Sequence, residues 1–123
     1  MRKKDFLAEV MNEIEIIKAK ATPSEIGRLN IDSFNHTIFS LCIYGLMTGD
    51  CDSVRALDMY PKQYAAINGN DTKDYTPFTK QNMARGSYNG FTPLEKYLYM
   101  VKRPMHKKII SYLKRETDVL ELV

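Results

Sequence analysis

A chain of 123 residues, 44% hydrophobic and 27% charged, carries enough apolar material to fold as one domain over 1–123 and too much to be disordered throughout. Two cysteines are too few for a disulfide framework, and the longest near-apolar run, Thr37 to Met47, is about half a membrane span. The net charge of +3 hides an asymmetry: Lys102, Arg103, Lys107, Lys108, Lys114 and Arg115 stand together with no acid among them, so the rest of the chain sets 12 of the 18 basic groups against all 15 acidic ones.

Met1-Arg2-Lys3-Lys4 is basic, but Asp5, Glu9, Glu13 and Glu15 interrupt what a secretory signal would need as its apolar centre. The chain is therefore expected to be cytoplasmic, with no membrane segment, and with Cys42 and Cys51 both free thiols. From Asp5 to Ala21, Leu7, Val10, Ile14, Ile17 and Ala21 recur every three or four residues and predict an amphipathic helix. Phe6, Met11 and Ile16 widen its apolar stripe, and Glu9, Glu13 and Lys20 are expected on the solvated side. Thr22-Pro23-Ser24-Glu25 is a helix start: Thr22 caps, Pro23 takes the first turn, and Glu25 reaches back to complete a capping box. Gly27 and Asn30 keep this helix short.

Phe34 to Met47 is apolar around most of a helical circumference, which places a helix there at the centre of the domain, ended by Gly49 in a left-handed conformation. Asp50, Asp52 or Ser53 caps a short helix through Val54, Leu57 and Met59. Asn68 to Phe91 lacks periodicity and reads as a long irregular loop. Thr92-Pro93-Leu94-Glu95 repeats the T-P-x-E start, ahead of a helix with Leu94, Tyr97, Leu98 and Val101 on one side. Pro104 opens another, with Met105, Ile109, Ile110 and Leu113 inward. The tail Val119–Val123 reads as a last turn or a short edge strand, the strand being favoured. The fold class is mainly α: a compact bundle of about five helices around the buried Phe34–Met47 helix.

Three segments are candidate sites. Tyr75, Phe78, Tyr88 and Phe91 punctuate the long loop and are candidate anchors for a partner protein, or else pin the loop to the helices. Lys102, Arg103, Lys107, Lys108, Lys114 and Arg115 are candidate phosphate contacts, with Tyr99 and Tyr112 available to stack on bases; the solvated face of an ordinary amphipathic helix is the favoured explanation. Gly49-Asp50-Cys51-Asp52-Ser53 gathers two carboxylates and a thiol. It lacks the further oxygen ligands of a calcium loop and the four N or S ligands of a zinc site, and aspartates would raise rather than lower the thiol pKa. Helix capping accounts for it. His36 and His106 are scattered, and no catalytic constellation is present, so neither a cofactor nor an enzymatic activity is expected.

The stretch from Leu41 through Asp50-Cys51-Asp52-Ser53 and Arg55-Ala56 to Met59-Tyr60-Pro61-Lys62 resembles a family of small proteins from gut bacteria and their phages, with a looser echo at Phe91-Thr92-Pro93-Leu94-Glu95. The resemblance covers about a third of the chain, carries no assigned activity, and implies an accessory protein of a phage or mobile element. The sequence as a whole is expected to encode a non-enzymatic protein-interaction or accessory protein. Nucleic-acid binding through the basic C-terminal helix is the alternative.

Overall fold

The computed structural model describes residues 3–38, 40–49, 54–59 and 92–123. They form α1 (Lys3–Lys20), α2 (Pro23–Gly27), α3 (Ile43–Thr48), α4 (Val54–Met59), α5 (Pro93–Met100) and α6 (Arg103–Leu113), with no strand among the described residues. The protein is mainly α, as its periodicity predicts. The predicted loop 68–91 lies outside the described residues.

α1 forms where its apolar stripe requires it. Phe6, Val10, Ile14 and Ile17 are fully buried, while Leu7 and Met11 flank them half-buried, so the stripe is centred on the Phe6 side. Glu13, expected toward solvent, is fully buried instead. It lies three residues after Val10 and four before Ile17, the spacing that places all three on one face. The Thr22 box closes as read: Glu25 N donates to Thr22 Oγ1 at 3.2 Å, and Thr22 N donates to Glu25 Oε1 at 2.9 Å. Arg55 of α4 then donates from Nε to Glu25 Oε2 and from Nη2 to Glu25 Oε1, both at 2.8 Å, and clamps α4 to the start of α2. The Arg55 guanidinium, ahead of the smaller opposing effect of burial, pulls the Glu25 carboxyl down to about 2.

The helix expected over Phe34–Met47 exists only as α3, from Ile43 to Thr48. Before it the chain runs in successive turns. Asn30 Oδ1 accepts from Asp32 N at 2.9 Å, and Asn35 Oδ1 accepts from Thr37 N at 3.0 Å. These side chains offer the backbone local partners that compete with helical bonding, which a count of apolar residues does not register. Ile38 is consequently exposed, although Phe34, Cys42, Ile43, Tyr44 and Met47 still enter the core. Gly49 ends α3 at φ 99°, as its position predicts.

Among the described residues α1 packs chiefly on α5 and also touches α4 and α6, while α3 joins α2 to α4. Thr92 caps α5 by accepting from Glu95 N at 3.2 Å, but Glu95 does not reach back, so this second T-P-x-E start forms half a box. α6 turns Met105, Ile109, Ile110 and Leu113 inward as expected. It is closed by Arg115 at φ 60°, the one non-glycine residue with positive φ among those described. Beyond it the chain has no regular structure, so the edge strand expected over Val119–Val123 is absent. Tyr97 holds the end instead: its hydroxyl donates to Val123 O at 3.0 Å and accepts from Val123 N at 3.1 Å.

Candidate functional site

The six basic residues of the predicted phosphate surface fall into two groups. Arg103 Nη2 donates to Ile31 O at 3.0 Å and faces Asp32 at 3.9 Å. Lys114 Nζ donates to Leu29 O at 2.6 Å, and Arg115 Nη2 reaches Lys18 O at 3.4 Å. These three are drawn onto the 29–32 turns and the end of α1, where carbonyls with no helical partner accept them. Lys102, Lys107 and Lys108 are exposed, and their side chains form no hydrogen bond or ion pair with any described residue. Of the six predicted contacts, three thus give a donor to a backbone carbonyl and three have side chains with no partner among the described residues, and all six keep their charge.

Lys107 and Lys108 stand at one side of an open groove of about 430 Å³. α6 contributes these two lysines and Ser111, and the tail contributes Thr117, Val119, Leu120 and Glu121. Val119 is 71% exposed, while Leu120 rests on the core. The groove therefore sets two unpaired cations and two hydroxyls beside bare aliphatic surface. Sequence reasoning found the lysines but not the opposing wall, because the wall depends on how the tail returns from Arg115.

A second cluster is buried where α1 meets α5. Glu13 Oε1 accepts from Leu94 N at 2.9 Å, and Glu13 Oε2 accepts from Tyr44 OH at 2.7 Å. Burial pushes the Glu13 carboxyl up to about 7, against the pull of these donors, the Thr92 side chain and the Lys96 charge. Glu95 is 5% exposed, and its Oε1 has no hydrogen-bond partner. Burial first, and the nearby Glu13 second, push it up to about 8. Burial brings the Lys96 ammonium down to about 8, with Glu13 and Glu9 opposing the shift. Raised carboxyl pKa values are a common mark of general acids, but both carboxyls are buried, and Glu13 bridges α1 to α3 and α5. The helical spacing of Glu13 between Val10 and Ile17 was the available signal; its charge argued the other way.

The two histidines, 70 positions apart in the chain, meet. Their ring centroids lie 4.9 Å apart, His106 is edge-on to Phe34 at 5.2 Å, and His36 is edge-on to Tyr99 at 4.9 Å. His106 Nε2 lies 3.0 Å from Leu98 O and must carry the proton there, since a carbonyl only accepts. Burial lowers the His106 pKa, only partly offset by that bond. No local pattern in the sequence announces the pairing.

Tyr75, Phe78, Tyr88 and Phe91 lie outside the described residues, as do Asp50, Cys51, Asp52 and Ser53. Cys42 is disulfide-bonded, which corrects the expectation of a free thiol; its Sγ also accepts from Gly45 N at 3.3 Å to cap α3. Among the described residues, no group of three or more His, Cys, Asp or Glu side chains is placed to hold a metal ion, and no helix is long and apolar enough to cross a membrane. Comparison with protein-family models, curated proteins and solved structures found no match to this chain.

Proposed function

We propose that the chain is a non-enzymatic accessory protein that binds another protein, with the groove between α6 and the C-terminal tail as its contact surface. The observation that carries this reading is the juxtaposition of unpaired Lys107 and Lys108 with exposed Val119 across one open groove. Mixed cationic and aliphatic surface suits a protein partner better than a polyphosphate backbone, which is bound by a broader run of cations. Arg103, Lys114 and Arg115 each give a donor to a backbone carbonyl, which turns part of their hydrogen-bonding capacity inward. The resemblance to small proteins of gut bacteria and their phages favours an accessory role in that setting. Tyr75, Phe78, Tyr88 and Phe91 are proposed as additional anchors on the strength of their contact area.

Nucleic-acid binding by Lys102, Lys107 and Lys108 is the second reading, favoured by their freedom from internal partners. Affinity purification with and without nuclease, on the parent chain, the double variant Lys107→Glu/Lys108→Glu and the double variant Tyr75→Ala/Tyr88→Ala, separates the two. A protein partner that survives nuclease and is lost with the lysine reversals supports the groove. Recovery that collapses on nuclease treatment supports the second reading, and a partner lost only with the tyrosines moves the contact to 68–91.

A further inference from the structure

The C-terminal tail alternates in burial although it forms no strand. Val119, Glu121 and Val123 are exposed, whereas Leu120 and Leu122 are half-buried against the core. A period of two is the signature of a chain lying along a packed surface with one face in and one face out. The far end of the segment is fixed, Val123 being held through N and O by the Tyr97 hydroxyl, and at the near end Val119 N donates to Thr117 Oγ1 at 3.3 Å within the tail itself. Between these points the backbone N–H and C=O groups of Leu120, Glu121 and Leu122 bond to no described residue. Such a row of unpaired groups is what an edge strand presents to an incoming chain.

We infer that the groove takes an extended segment of a partner protein, which adds along Leu120–Leu122 and places acidic side chains against Lys107 and Lys108. The inference rests on the protein-binding reading and specifies its partner. Main-chain pairing supplies affinity in this mode, and side chains alternating along the segment supply selectivity. Charge sets the pattern. Lys107 and Lys108 favour carboxylates on the α6 side, while Glu121 on the tail side disfavours a segment acidic at every position. Acids alternating with aliphatic residues, the latter meeting Val119, satisfy both walls.

The test uses the full chain and a displayed library of random peptides of about twelve residues, long enough to span the tail. The strongest binder is then resynthesised for fluorescence anisotropy and for mapping of backbone amide shifts. Enriched peptides are expected to alternate Asp or Glu with aliphatic residues, and to move the amides of 107–111 and 119–122. Lys107→Glu/Lys108→Glu, both solvent-exposed positions, is expected to weaken binding by about tenfold or more with the helical circular-dichroism signal unchanged. Methylating alternate peptide nitrogens should abolish binding. Selected peptides that lack acids, bind as helices or shift other amides overturn the inference and leave the protein-binding reading intact. So does concentration-dependent self-association that moves the same amides and resists the peptide, since the occupant is then a second copy. An empty selection overturns both, the more so if a single-stranded oligonucleotide moves the Lys107 and Lys108 amides.

Discussion

Glu13 accepts hydrogen bonds from the Leu94 amide and the Tyr44 hydroxyl, whereas Glu95 leaves Oε1 without a donor in the same interior. The two burials therefore have different consequences. Glu95 is raised from 4.5 to about 8, so the stability linked to it is fully present below about pH 4.5 and is lost as pH rises toward 8. Glu95→Gln removes the ionisation, and urea denaturation should show the variant gaining a few kcal/mol over the parent at about pH 8.5 and nearly nothing at about pH 4.5. Tyr44→Phe acts in the opposite sense. It takes a donor from Glu13 without emptying the site, and is expected to cost about 1–3 kcal/mol, more at pH values above 7 where Glu13 is ionised. Equal losses at pH 5 and pH 8 would show that the hydroxyl does not serve the carboxylate.

The two T-P-x-E starts are the same four-letter signal in different surroundings. Thr22 is exposed and belongs to a reciprocal box, while Thr92 is buried, caps α5 and helps hold down the pKa of the Glu13 carboxyl. Thr22→Ala should cost about 1 kcal/mol, the usual value for a lost cap. Thr92→Ala should cost more, and thermal melts of the pair compare them directly. α2 and α4 are joined by the Arg55–Glu25 fork. Because Glu25 is lowered from 4.5 to about 2, its contribution is present above pH 4.5 and disappears as pH falls toward 2. Arg55→Ala should flatten the stability profile in that window, and an unchanged acid profile would assign the shift to another group. Element by element, the sequence was most legible where a spacing rule or a cap was unambiguous, as in α1 and the inward face of α6 for spacing, and in α2 and Gly49 for caps. It misled over Phe34–Met47, where apolar content on every side concealed the Asn30 and Asn35 turns, and at Glu13, where charge outweighed position.

The domain as a whole should respond to pH in an order unlike that of most soluble proteins. Glu25 withdraws support below pH 4.5, Glu13 and Glu95 withdraw it as pH rises from 4.5 toward 7 and 8, and His106, lowered by burial, returns part of it as pH rises toward 6.5, which places the maximum on the acid side of neutrality. Lys96, lowered from 10.5 to about 8, returns some stability as pH rises from 8 to 10.5. Denaturation midpoints across this range test the sum, and a maximum above pH 7 would contradict it. At this scale the candidate site was only half readable, since Lys107 and Lys108 are visible as charges but the groove exists only through the returning tail. The meeting of His36 and His106 is likewise a product of tertiary packing alone. The Glu13 brace has one further consequence, for the order in which the chain acquires its structure. Its amide donor lies 81 positions away, and α5 is the principal surface on which α1 packs. The carboxylate and the apolar stripe of α1 meet some partners nearer in the chain, at Tyr44 and α4, but the main packing surface of α1 is supplied by α5. Contacts of such long sequence separation slow the search for the native state. Consolidation of α1 therefore waits on a contact distant in sequence.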